Sequence, residues 1–403
     1  MRNVALLLFL FVFGCGSSSQ GPADAGDEVY GHVTIDSSVP YEAGPPPPKT
    51  ASFDCDGGSG FPTTTYPAPH PKMPLAKSSG GPVMKNPRFV PIVFSAEDRT
   101  SDIGAFMNAI AASTYWSSIA TQYGVGTPSA TSPIVVNETP ATSITDAEIV
   151  TWLQDKLDGT HADFGTPDTD AIYVVYYPDT TTIHQGSLGD SCFSFGGYHY
   201  EAKVGSTRIV YAVIARCKGE AMTSITAHEL FEAATDPYFG SAPAYQTVDD
   251  PTELWSWGGE IGDLCEYLPD VVPSDVGYPV PPIWSNSASA AGHNPCQPSS
   301  GPYFRTVTAA THVTVKPGES VMVDLIPFSD ADTGGPWTLG VTGSWGPPSD
   351  RLQLQLCKTT AQNGEHIPLG VFRPETAING GYVRIDSTLG NVTTSWSISV
   401  GNP

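Results

Sequence analysis

The chain has 403 residues, with 18 Lys plus Arg against 41 Asp plus Glu and a formal charge of −23. The length calls for two folded domains, and the lack of any long basic run argues against nucleic acid as a partner. With 41 glycines and 38 prolines, turns and β-structure are expected over a long helical bundle.

Arg2 precedes an apolar run from Val4 to Phe13 that ends in Gly14-Cys15. The run is too short for a permanent membrane span. Gly directly before Cys after such a stretch resembles a bacterial lipobox, so residues 1–15 read as a lipoprotein-type signal peptide with Cys15 as the lipidated residue. Gly16 after it favours the bacterial outer membrane or cell surface, with the lipid anchor as the only membrane contact. An ordinary secretory signal is the alternative, and both readings imply an oxidising, exported location. The other six cysteines then allow three disulfides. Proximity in sequence suggests Cys192 with Cys217 and Cys265 with Cys296, leaving Cys55 with Cys357. No C-x-x-C pair occurs, which argues against a thiolate metal site.

Residues 16–83 are rich in Ser, Gly and Pro, including Gly44-Pro45-Pro46-Pro47-Pro48, and read as a tether. A disulfide at Cys55 would pin the stretch around Phe53 to Phe61. From residue 84 the pattern changes. Arg88 to Ser95 reads as a buried strand with Pro91 at a bulge or edge. A helix follows, with Asp102 as N-cap and Ile103, Phe106, Met107 and Ile110 on one face. Thr145-x-x-Glu148 forms a capping box for a second helix, whose apolar face is Ile149, Trp152, Leu153 and Leu157. Further strands are read at Asp170 to Tyr177 and Thr207 to Arg216, so residues 84–300 alternate strand and helix in an α/β (α+β) layer. Residues 301–403 contain short alternating runs: His312–Val315, Ser320–Ile326, Trp337–Val341, Leu352–Leu356, Tyr382–Ile385 and Thr394–Val400. They predict an all-β sandwich domain as an accessory module.

The chemistry-bearing segment is Thr226-Ala227-His228-Glu229-Leu230-Phe231-Glu232-Ala233-Ala234-Thr235-Asp236-Pro237. On a helix, His228 and Glu232 share one face about one turn apart, where an imidazole and a carboxylate can bind one divalent cation. Glu229 is rotated by about 100° from His228 and can serve as general base to an activated water. The pattern is H-E-x-x-E, so the second ligand is a carboxylate in place of an imidazole. Downstream, Gly259-Glu260-Ile261-Gly262-Asp263-Leu264-Cys265 offers a third ligand. Glu260 is the first choice, with Asp236 and Asp263 as rivals; Asp263 also suits a turn brace or a structural calcium ion. His199, between Tyr198 and Tyr200, can polarise a carbonyl or stabilise an oxyanion. Tyr245, Trp255, Trp257 and Tyr267 offer a platform for sugar or peptide, with packing as the plainer role.

The motifs His-Glu-Leu-x-Glu-Ala-x-Thr-Asp-Pro and Glu-Ile-Gly-Asp-Leu-Cys, with Gly197-Tyr198-His199, Tyr211-Ala212-Val213-Ile214 and Trp284-Ser285-Asn286, resemble the phosphate-induced protein, or exordium-like, family and its bacterial relatives. The resemblance covers about Arg88 to Pro298. It implies a zincin-like fold, with His228 and Glu232 as ligands, Glu229 as base, and Glu260 or Asp263 in the site. The expectation is an exported zinc-dependent metallohydrolase, a peptidase acting on peptide or cell-wall polymer, and a monomer. The alternative is a non-catalytic surface protein with a structural metal site and glycan-binding aromatic loops.

Overall fold

A computed structural model describes residues 53–56, 60–248, 259–266, 268–343, 351–377 and 380–402. The signal-peptide reading, Cys15 and the tether up to residue 52 lie outside the described residues. So do Trp255, Trp257 and Tyr267.

The first part of the chain forms β1 (Ala76–Ser78), β2 (Arg88–Phe94), α1 (Thr100–Ala112), α2 (Thr114–Ala120), β3 (Ser129–Ala130), β4 (Ile134–Val136), β5 (Ser143–Thr145) and α3 (Asp146–Lys156). It continues through β6 (Ala171–Tyr177), β7 (Thr182–Gln185), β8 (Gly189–Asp190), β9 (Gly197–Val204), β10 (Thr207–Ala215), α4 (Met222–Thr235) and β11 (Tyr245–Val248). The main sheet runs β3-β2-β6-β10-β9, with β4 also paired to β2. Pairings along it are parallel except at the edge, where β9 joins β10 antiparallel.

Alternate residues of β2, β6 and β10 enter two separate cores. Phe89, Ile172, Val174, Val210 and Ala212 pack with α1, α2 and α4, whereas Val90, Tyr173, Val175, Tyr211 and Val213 pack with α3. Burial on both faces explains why these strands read as unbroken apolar runs.

Two local expectations are corrected. Pro91 is at neither a bulge nor an edge, since it pairs with Val174 in an interior strand. On the opposite side, β3 meets Arg88 and Phe89 and β4 meets Ile92 to Phe94, so Pro91 falls in the gap between these partners. Helix α1 starts at Thr100 with Arg99 at the N-cap position, and Asp102 lies in the first turn. There its charge still complements the N-terminal end of the helix dipole. The capping box of α3 forms as expected, with Thr145 N–H donating to Glu148 Oε2 at 2.8 Å and Glu148 N–H to Thr145 Oγ1 at 3.3 Å.

The second part forms β12 (Ile283–Trp284), α5 (Asn286–Ala290), β13 (Cys296–Gln297), β14 (Phe304–Thr308), β15 (His312–Thr314), β16 (Ser320–Ser329) and β17 (Trp337–Gly343). It ends with β18 (Gln353–Leu356), β19 (Thr360–Ala361), β20 (Ile367–Phe372), β21 (Gly381–Leu389) and β22 (Val392–Gly401). Two sheets, β14-β16-β20-β18 and β15-β22-β21-β17-β19, share a core built on Phe328, Trp337, Ile385 and Trp396. The protein is therefore β-rich, with few helices. Strands β14 and β20 were absent from the runs read in the sequence. In β20, Pro368 and Gly370 look like breakers, yet Gly370 is needed because a Cβ there would strike the ring of Phe53.

The tether is also corrected at its C-terminal end. Ala68 and Met73 are buried in the sandwich core, and β1 pairs with β11. Apolar burial and strand pairing thus anchor residues that composition alone presents as linker. Three disulfides, Cys55–Cys357, Cys192–Cys217 and Cys265–Cys296, join the pairs expected from sequence. Among the described residues, no helix is long and apolar enough to cross a membrane.

Candidate metal centre

Helix α4 is buried along most of its length, because Leu230, Phe231, Ala233 and Ala234 enter the core under the sheet. Phe231 stacks on Trp116 with ring centroids 4.4 Å apart, which fixes the rotation of the helix. Two other elements meet it. Register places His199 of β9 opposite Ala212 of β10, on the sheet face that carries α4. The turn carrying Glu260 to Cys265 is held by the Cys265–Cys296 disulfide and by Trp284 N–H donating to Ile261 O at 2.9 Å.

The outcome is two groups of donors that share Glu232. In the first, His228 Nε2 lies 3.2 Å from Glu232 Oε1 and 3.3 Å from Asp263 Oδ1. In the second, His199 Nε2 lies 3.6 Å from Glu260 Oε1, and its Nδ1 lies 3.8 Å from Glu232 Oε2. A tetrahedral ion bound at about 2.1 Å sets its donors roughly 3.4 Å apart, so the spacings of the first group suit a small divalent cation, and the second group brings one donor atom of each residue within 4.8 Å of the others. The groups differ in access. His228 and Asp263 keep 15% and 26% of their side chains exposed, whereas His199, Glu232 and Glu260 are all buried.

Backbone groups aim the shared carboxylate. Glu232 Oε1 accepts the N–H groups of Gly262 and Asp263, each at 3.0 Å. Gly262 is required for this approach, since a Cβ there would lie 2.7 Å from Glu232 Oε1 and 2.9 Å from the His228 ring.

Burial and crowding of like charge dominate the titration of the centre. Burial pushes the Glu232 carboxyl up to about 7, with the Asp263 charge adding and His228 opposing. Glu260 is driven well above the ordinary carboxylate range by burial, then by Glu232 and Asp263. Burial pulls both histidines down, but neighbouring carboxylates outweigh it: chiefly Glu229 at His199, and Glu232 with Asp263 at His228. Burial also raises Asp236 and Glu266. Three buried polar atoms here have no hydrogen-bond partner: His199 Nε2, Glu260 Oε1 and Asp236 Oδ2.

Not every candidate named from sequence converges as expected. Asp263, not the first-choice Glu260, completes the triad with His228 and Glu232, because the turn after Gly262 swings it towards the helix. Glu229 is buried, with Oε2 3.4 Å from His199 Nδ1. Asp236 joins neither group; it ends α4 and accepts Ala244 N–H at 2.7 Å. Tyr245 packs edge-on against Tyr123 at 5.0 Å, the packing role given as its plainer reading. Sequence reading missed Phe239, a partly exposed ring 6.3 Å from His199 and 6.0 Å from Tyr200, for which no sequence pattern gave a signal.

No family model and no curated protein matches the chain. Among solved structures, domains 4 and 5 of the S-layer protein SbsC align over 26% of this chain and 55% of theirs, at 14% identity and a TM-score of 0.19. The titin M3 domain aligns over 25% of this chain and 95% of its own, at 16% identity and a TM-score of 0.17. At these scores neither likeness carries an argument about fold or activity.

Proposed function

We propose that the protein is an exported, zinc-dependent hydrolase of zincin-like architecture, acting on peptide bonds, with the β-sandwich as an accessory module. The observation that carries this reading is the convergence of His228 Nε2, Glu232 Oε1 and Asp263 Oδ1 at cation-ligand spacing on a partly open face of α4. One histidine with two carboxylates is a donor set that zinc accepts. The ion would supply Lewis acidity to a carbonyl and would acidify a water. Glu229 takes the proton of the attacking water, and His199, at 3.4 Å, holds that carboxylate in place. The motifs on α4 and in the Glu260-to-Cys265 turn are those that resemble the exordium-like family, and the apolar run before Cys15 supports attachment at the bacterial surface through a lipid.

A second reading, a non-catalytic surface protein with a structural cation, draws on the burial of His199, Glu232 and Glu260. Metal content and peptide hydrolysis, measured on wild type and Glu229→Gln, separate the two. The hydrolase reading expects Glu229→Gln to keep the ion at His228, Glu232 and Asp263 while turnover falls by about 10²–10⁴-fold. Full activity in that variant sinks the mechanism, and bound metal without any hydrolysis in wild type favours the structural reading.

A further inference from the structure

The proposed hydrolase site uses one group of donors and leaves the other unexplained. His199 Nε2 and Glu260 Oε1 are buried, 3.6 Å apart, and without hydrogen-bond partners. Unpaired buried polar atoms are costly, so a pair facing each other points to something that binds between them. His199 Nδ1 is engaged with Glu229 Oε2, which leaves Nε2 as the free coordinating nitrogen, in the manner of histidine ligands oriented by a carboxylate. Charge leads the same way. Glu229, Glu232, Asp236, Glu260 and Asp263 crowd around two histidines, and among the described residues no ion pair joins any of the five to a lysine or arginine.

Glu232 lies between the groups with one oxygen for each. Its Oε1 faces His228 Nε2 at 3.2 Å, and its Oε2 lies 3.8 Å from His199 Nδ1, in the group where donor atoms of His199, Glu232 and Glu260 lie within 4.8 Å of one another. A carboxylate presented in this way bridges two ions about 3.5–4 Å apart, the separation typical of two-metal hydrolytic sites. Resting on the reading above, we propose that the centre binds two divalent transition-metal cations: an outer one on His228 and Asp263, and a buried one on His199 and Glu260, with Glu232 as the shared bridge. The carboxylate-rich donor set suits zinc and manganese.

The test uses the full chain, stripped of metal and reloaded with Zn²⁺ for elemental mass spectrometry or with Mn²⁺ for electron paramagnetic resonance. Wild type is expected to hold two Zn²⁺ per chain and to give an exchange-coupled Mn²⁺ spectrum. Glu260→Gln, close in shape to the native side chain, is expected to hold one ion, to lose the coupling, and to keep the ion that His228→Ala removes. One Zn²⁺ per chain, indifferent to Glu260→Gln but lost in His228→Ala, overturns the two-ion proposal and leaves the single-site hydrolase standing. Two ions without magnetic coupling in wild type also overturn it, by placing the second ion elsewhere. No bound ion overturns both, and the wild-type spectrum decides the matter even if a variant fails to fold.

Discussion

The β-sandwich and the layer around α4 both bury polar groups, but they treat them differently. In the sandwich, Asn363 donates to Thr63 O and Thr65 O at 2.9 and 2.8 Å and accepts from Ala68 and Ser329 N–H at 3.1 and 2.9 Å. Arg373, fully buried, donates to Ala377 O and Val315 O at 2.7 and 2.8 Å. Those bonds tie loops and the incoming segment around Ala68 to the sandwich. Around α4, by contrast, His199 Nε2 and Glu260 Oε1 are left without partners beneath the sheet. Buried polarity that the chain itself satisfies is architecture, whereas an unsatisfied nitrogen and oxygen that face each other at 3.6 Å point to a ligand between them.

The largest effect that would sharpen this contrast lies in the sandwich. Trp337→Ala removes a fully buried ring whose Nε1 donates to Thr306 Oγ1 at 3.2 Å. It should cost about 3–5 kcal/mol in chemical denaturation. Metal bound per folded chain should stay unchanged, and its loss would show that the two regions are not separable.

A smaller change strikes the centre alone. Gly262→Ala places a methyl group against Glu232 Oε1 and the His228 ring. We expect a stability loss of about 1–3 kcal/mol together with at least about tenfold weaker Zn²⁺ binding by competition titration, since roughly 1.4 kcal/mol of misplacement suffices for that factor. Wild-type affinity in this variant would break the assignment of Glu232 as a ligand.

The smallest effect lies on the far side of the sheet. A hydrogen bond from Lys156, helped by Trp152, holds Glu138 below the ordinary carboxylate range. Because the folded state binds this proton less tightly, the stabilisation is present above the ordinary carboxylate pKa and fades as pH falls through the lowered one. Glu138→Gln should cost about 1 kcal/mol near pH 7, since the Glu138 carboxylate is 43% exposed although Lys156 is buried, and nothing near pH 2. A loss that persists in acid would assign the effect to packing instead of charge.

Much of the fold was legible because local signals agreed with tertiary demand. Ala171–Tyr177 and Thr207–Ala215 read as buried strands since both faces of the sheet are covered. The capping box marked the start of α3 through bonds made within a single turn. Strand β9 was harder. Its edge position leaves Tyr200 and Lys203 exposed, so its apolar pattern is diluted, and the Gly196-Gly197 pair reads as a turn. The Pro/Gly-rich residues 60–83 read as linker because their anchoring by Met73 and β1 depends on partners far away in sequence.

The sequence by itself determined the His228, Glu229 and Glu232 spacing, since helical periodicity is a local property, and it pointed to the disulfide partners through their order in the chain. Only the tertiary structure decided that Asp263 joins His228 while Glu260 turns to His199, and that Glu232 offers one oxygen to each. Those choices depend on where an edge strand and a disulfide-held turn meet a buried helix, and on the dry, charge-crowded space they enclose. No local pattern encodes such a meeting, because its energy comes from contacts between segments distant in the chain.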